Sequence, residues 1–184
     1  MLSLSCKLKS LAPLYQSAPF QSPKNEGEAP DAYDERVWRE RMHVRDGVCY
    51  VPAMAIKWAL DWAAGFLNIK IPGERNATWK KQFVSGVLIT DDLSLGAKAE
   101  TVQGERIFVN ADGKRGSGTR VWRRFPRIDK WSGTLVAHVI NPKITLDVFQ
   151  RHIEAAGQFC GLGSFRVQNG NVYGRFSCES IEEV

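Results

Sequence analysis

Two stretches with helical periodicity, each set between β-periodic runs, constrain this chain more than any other feature. From Ala53 to Leu67, the residues Ile56, Ala59, Leu60, Ala63, Phe66 and Leu67 make one apolar stripe, with Trp58 and Trp62 on its flank. Pro52 stands at the first turn, where a helix tolerates proline. From Thr145 to Ala156, Val148, Phe149, His152, Ile153 and Ala156 recur at the same spacing; Thr145 can cap, and Gly157 is predicted to end the helix. Leu2, Leu4, Cys6 and Leu8 alternate with Ser3, Ser5, Lys7 and Lys9, the period of a strand with one buried face. Phe83 to Thr90 predicts a second strand, apolar enough to be central in a sheet. Thr134 to Ile140 predicts a third and Val172 to Phe176 a closing one. Strand, helix, strand, strand, helix, strand is the order of an α+β, ferredoxin-like or RRM-like βαββαβ core, predicted to fill residues 1–184 as one domain. One sheet face then takes both helices. The other is open to a ligand, and in RRM domains it stacks bases.

The remaining segments are insertions on that core. A polar loop from Ala12 to about Glu35, with prolines at 13, 19, 23 and 30, is too long for an idle connection and is either functional or mobile. Asp46-Gly47 predicts a turn into a short strand, Val48 to Val51. Residues 91–120 predict a hairpin insertion, with a strand at Arg106 to Asn110 ahead of the turn Asp112-Gly113.

Charge is concentrated rather than spread. The chain carries 25 Lys and Arg against 20 Asp and Glu, a net +5. The seventeen residues from Lys114 to Lys130 hold seven of the cations and one Asp. Here Lys114, Arg115, Arg120, Arg123, Arg124 and Arg127 surround Trp122, Phe125 and Trp131, a pattern suited to a phosphate chain with stacked bases. The same residues also fit a core-facing strand with solvated arginines. After the second helix, Gly161, Gly163, Gly170 and Gly174 are interleaved with Phe159, Phe165, Tyr173 and Phe176. Glycines let a backbone approach a ligand closely, and Arg166, Tyr173 and Arg175 are candidate contacts there; a glycine-punctuated hairpin with core aromatics fits equally. Phe159, Leu162 and Phe176 read as core.

With the order in place, the chain resembles the RAMP superfamily, the RRM-like proteins that include the backbone subunits of CRISPR effector complexes. LSLSCKLKSLAPLY is similar to that family's opening strand and its proline-containing loop. YVPAMAIKWAL resembles the "IPGSSLKGALR" start of the first helix, with Pro52 and Lys57 matching. GLGSFRVQNGNVYGRF is similar to the glycine-rich loop after the second helix. Ala53, Met54 and Ala55 replace the family's Gly-Ser-Ser, and Trp58 replaces a small residue, which marks a divergent member of the kind a phage or mobile element encodes. The resemblance implies binding of a single strand along the face that carries Lys57, a thumb-like hairpin at residues 91–120, and head-to-tail self-assembly along the strand.

Catalytic and cofactor chemistry has little support. GKRGSG lacks P-loop spacing, there is no G-x-S-x-G, and the three histidines make no metal motif. Cys6, Cys49, Cys160 and Cys178 are scattered, as in reduced cytoplasmic proteins, and no cofactor is implied. Neither a signal peptide nor a membrane span is predicted. The resemblance does implicate Asp31 and Asp34, because some family subunits cleave RNA with a metal-dependent loop aspartate; a loop Asp is more often solvated or a helix cap. The expectation is a cytoplasmic single-stranded nucleic-acid binding protein, for RNA or single-stranded DNA, with sequence-independent backbone contacts and assembly along the strand. The alternatives are an interaction module mimicking a CRISPR backbone subunit, a single-strand binding protein for replication or recombination, and a metal-dependent endoribonuclease.

Overall fold

The protein is described by a computed structural model covering residues 1–113, 116 and 118–184. In chain order its elements are β1 (Leu2–Ser10), β2 (Leu14–Tyr15), α1 (Pro30–Val37), β3 (Val44–Arg45), β4 (Val48–Val51) and α2 (Ala53–Leu67). These are followed by α3 (Trp79–Gly86), β5 (Val87–Ile89), β6 (Leu93–Lys98), β7 (Gln103–Asn110) and β8 (Arg120–Ile128). The chain closes with β9 (Ser132–Val139), α4 (Leu146–Ala155) and β10 (Phe176–Glu183).

The central sheet has the order β10-β1-β9-β5, antiparallel throughout. With α2 between β1 and β5, and α4 between β9 and β10, this is the ferredoxin-like βαββαβ arrangement that the two helical stripes predicted. Alternation along β1 sends Leu4, Cys6 and Leu8 into the core, where Leu135, Ala137 and Val139 of β9 meet them beneath α2 and α4. Ile56, Leu60 and Ala63 of α2 and Phe149 and Ile153 of α4 complete that layer. Burial of each large aliphatic or aromatic side chain contributes about 1.5–3 kcal/mol, so this layer supplies most of the drive to fold.

Several expectations differ from the structure: Phe159, read as core, is exposed, and so is Phe66 of the α2 stripe, because each lies on the outer flank of its helix. Half of the predicted second strand, Phe83 to Thr90, is helix: Trp79 and Phe83 are both buried and lie one turn apart on α3, and only Val87–Ile89 is extended. That strand lies at the sheet edge, not its centre. The closing strand starts where it was predicted to end, at Phe176, and runs on to Glu183. Helix α4 does not stop at Gly157 but widens into a π turn over Ala156–Cys160.

The sheet face turned away from the helices presents Ser3, Ser5 and Lys7 of β1, Thr134, Val136 and His138 of β9, and Leu88 of β5. Among the described residues it carries no Phe, Tyr or Trp, so they form no base-stacking platform like that of an RRM sheet. β3, β4 and β6 form a second small sheet, and the β7–β8 hairpin with β2 a third. The hairpin's second strand runs well past residue 120, in register from Asn110 opposite Arg120 to Gln103 opposite Arg127. Among the described residues, no helix is long and apolar enough to cross a membrane.

Candidate nucleic-acid interface

Three segments far apart in sequence enclose an open cleft of about 1500 Å³: the loop before and into α1, the β7–β8 hairpin, and the glycine-rich loop between α4 and β10. Each wall is held by identifiable bonds.

The first wall is the proline-containing loop, which is fastened down. Gln16 donates from Nε2 to the Tyr50 carbonyl (2.7 Å), and its Oε1 accepts from the His43 N–H (3.0 Å). Glu40 accepts the N–H groups of Gln21 and Ser22 at 2.8 and 3.0 Å, and the Ser22 hydroxyl as well. Those bonds, the hydroxyl's first, hold the Glu40 carboxyl below its ordinary value. Glu28 takes Arg36 at 2.8 Å and the Asn25 N–H at 2.9 Å, which lowers its pKa to about 2. So anchored, the loop offers Phe20, Lys24 and Tyr33 to the cleft, with Phe20 edge-on to Tyr33 at 5.3 Å.

The second wall is the hairpin, and Asp34 of α1 ties it to the loop. Its carboxylate is 2% exposed. Oδ1 accepts from Arg41 at 2.5 Å and lies 3.6 Å from Arg123, while Oδ2 accepts the Arg124 backbone N–H at 2.7 Å. Both oxygens are therefore occupied by the fold, and the aspartate considered for metal-dependent cleavage is a buried anchor. Asp31, its companion, is exposed on the first turn of α1. The Arg41 guanidinium lies between the rings of Phe20 (4.2 Å) and Phe125 (4.6 Å), an orientation that fixes a cation at the cleft floor.

The third wall shows why the loop needs its glycines. A Cβ on Gly163 would stand 2.2 Å from the Tyr15 carbonyl oxygen, and one on Gly174 would stand 2.0 Å from that of Leu162; both residues have positive φ. The close approach is to the protein's own backbone, not to a ligand. Between them Phe165 adopts φ +55, a conformation bulky residues rarely hold, and wedges edge-on between Tyr15 (5.6 Å) and Phe125 (4.9 Å). Tyr15 in turn donates its hydroxyl to Glu105; burial, then that bond, raises the phenol's pKa. The same bond and Arg127 lower that of Glu105.

The predicted contact residues are divided among several places. Arg120, Arg123 and Arg166 border the cleft. Trp122, 52% exposed, lies with Phe108 at 5.2 Å and Arg106 at 5.7 Å. Arg124, two residues on and so on the same side of the strand, reaches Glu35 at 2.7 Å and covers Trp38. Arg127 is engaged at 2.7 Å by both Glu105 and Asp129. Tyr173 packs its ring on Tyr15 at 4.8 Å, and Arg175 is exposed just before β10. Lys57 donates to Asp61 and to the carbonyls of Phe83 (3.1 Å) and Val84 (3.3 Å) at the end of α3, away from the cleft. Lys114 and Arg115 lie outside the described residues. Phe20, Lys24, Tyr33, Arg41 and Phe165 line the cleft without having been singled out as contacts. The length of the loop was the one signal that pointed to the first three.

Among the described lining residues, five are cations (Lys24, Arg41, Arg120, Arg123 and Arg166) and one, Asp112, is a carboxylate. An excess of guanidinium beside aromatic rings suits an anionic, flat-ringed polymer. Among the described residues, no cluster of three His, Cys, Asp or Glu is placed to hold a metal ion.

The strand order and helix placement define an α+β protein of ferredoxin-like class. Within that class the fold is similar to that of Cmr proteins of known structure. The crystal structure of Cmr6 from Pyrococcus furiosus superposes with a TM-score of 0.52 at 15% identity, over 97% of this chain and 100% of that one. The cryo-EM structure of the type III-B Cmr-beta bound to cognate target RNA gives 0.50 at 14% identity. It is matched over 100% of this chain, which spans 60% of the Cmr-beta chain. No protein-family model and no curated protein matches the sequence.

Proposed function

We propose that this protein binds single-stranded nucleic acid in the cleft, independently of sequence, as a component of a CRISPR-type effector assembly. The observation that carries this reading is the convergence of loop, hairpin and glycine loop on one cationic, aromatic-lined groove. Guanidinium groups meet phosphates, which are the same at every nucleotide, so the contacts carry no sequence information. Rings such as Phe20 and Tyr33 reach only bases whose faces are free, which favours a single strand over a duplex. Fold neighbours that include a complex with target RNA support the same class of partner.

Fluorescence anisotropy with labelled single strands and matched duplexes over a salt series tests this. If each of the four cleft cations other than the Asp34-paired Arg41 meets one phosphate, log K falls against log salt with a slope near −2.8, about 0.7 per phosphate. Arg123→Ala and Arg166→Ala each weaken binding on all sequences alike and flatten that slope. Salt-independent binding, or a preference for duplex, contradicts the proposal.

A further inference from the structure

Helix α2 carries an apolar face that the fold leaves uncovered. Met54, Trp58, Trp62 and Phe66 recur every four residues along the flank of the buried stripe of Ile56, Ala59, Leu60 and Ala63; Met54, Trp58 and Phe66 are exposed, and Trp62 is half-buried against the core. Met54 is 76% and Phe66 54% exposed. Two other elements extend the face: Phe159 from the π turn after α4, 5.2 Å from Phe66, and the exposed Val84 from α3. Trp58, Trp62, Phe66 and Val84 surround a groove of about 390 Å³ floored at Gly65, where the aliphatic part of Lys80 lies alongside. Exposed apolar surface gathered from three elements costs solubility and marks an interaction site.

We propose that this groove docks a protein segment presenting one apolar anchor flanked by acidic residues. The charge around it sets the sign. Asp61, the carboxylate lining the groove, is matched by Lys57, while Lys70, Lys80 and Lys81 are exposed on α3 and the turn leading to it. Two of the rings pack face to face on each other rather than standing open to a base. Trp62 and Phe66 already stack on each other (4.8 Å between centroids, 13° between planes), Phe159 lies against Phe66, and the Arg166 guanidinium covers Trp58 at 4.3 Å. A groove walled by Trp58, Trp62, Phe66 and Val84 accepts the Leu or Phe side chain of a docked segment. Arg166 belongs to both regions, stacked on Trp58 and bordering the cleft, so a partner seated here would lie next to the bound strand.

The test uses the full chain, isotope-labelled for NMR, and three probes: a short peptide with a central Leu-Phe flanked by glutamates, the same peptide with lysines in their place, and a single-stranded oligonucleotide. The acidic peptide shifts the resonances of Gly65, Phe66 and Val84, and the lysine peptide does so at least about tenfold more weakly. Val84→Glu and Phe66→Ala, at positions more than half exposed, leave the melting temperature near that of the parent and weaken the acidic peptide about tenfold or more. The inference is overturned if neither peptide shifts these residues, if the lysine peptide binds as well as the acidic one, or if only the oligonucleotide shifts them.

Discussion

Asp34→Ala is predicted to be among the most damaging single changes outside the main core. The carboxylate is 2% exposed and carries two loads: Arg41 at 2.5 Å and the Arg124 N–H at 2.7 Å. Alanine leaves Arg41 as a nearly buried cation between two rings, with its Nε already lacking a hydrogen-bond partner. Removing one member of a buried pair costs about 3–5 kcal/mol, and the orphaned backbone donor adds to the loss less than additively. Asp34→Asn keeps a neutral acceptor for the Arg124 N–H and is predicted to cost about 1–2 kcal/mol. With a urea dependence of about 2 kcal/mol per molar, the alanine variant lowers the unfolding midpoint by about 2 M and the asparagine variant by under about 1 M. Urea unfolding followed by tryptophan fluorescence reads both. An alanine variant within about 0.5 kcal/mol of the parent refutes the anchor argument.

Acid should release the proline-containing loop. Glu40 and Glu28 have folded-state pKa values held below the ordinary carboxylate value, so their stabilisation is full above about pH 4.5 and is lost as pH falls through the folded values, about 2 for Glu28. The amide resonances of Gln21, Ser22 and Asn25 should move over that window while those of β1 stay fixed; movement only below the window, or together with β1, contradicts this. Buried His152 stacks on Phe83 at 4.2 Å, and burial lowers its pKa, so its contribution is full above about pH 6.5 and declines as pH falls. His152→Leu should flatten the decline in melting temperature between about pH 7 and 5, leaving the part due to His43, also depressed by burial; an unchanged slope contradicts it. Gly174→Ala, with its methyl directed at the Leu162 carbonyl, should cost more than about 2 kcal/mol, read as a fall in melting temperature, and a neutral effect contradicts the packing account of the loop.

The core was legible because its residues alternate or recur with a single clear period. β1 shows four apolar residues at period two, and α2 and α4 show full helical stripes. Helix α3 was missed because its buried pair, Trp79 and Phe83, is followed directly by Val87 to Ile89, and the two runs merge into one apolar stretch. Strand β10 was placed too early because it is an edge strand: beyond Phe176 its residues are half-buried or exposed, so they read as a polar tail. Of the cleft, Arg120, Arg123 and Arg166 were legible from local composition. Arg41, Phe20 and Tyr33 were not, because their place depends on Asp34, Glu40 and Gln16 pulling the loop against the hairpin. The glycines left ligand approach and close packing equally open in sequence, because the packing of Gly163 and Gly174 on Tyr15 and Leu162 leaves the same trace there as a ligand contact.

A single strand is proposed to lie in the cleft between loop, hairpin and glycine loop. Ultraviolet cross-linking of a bound single-stranded oligonucleotide, with the cross-linked peptides mapped by mass spectrometry, tests it most directly. The account predicts adducts on Phe20, Tyr33, Phe108 and Phe165, which border the cleft from all three walls. Adducts confined to the outer sheet face around Val136 and His138, or to α2 at Trp62 and Phe66, would contradict it.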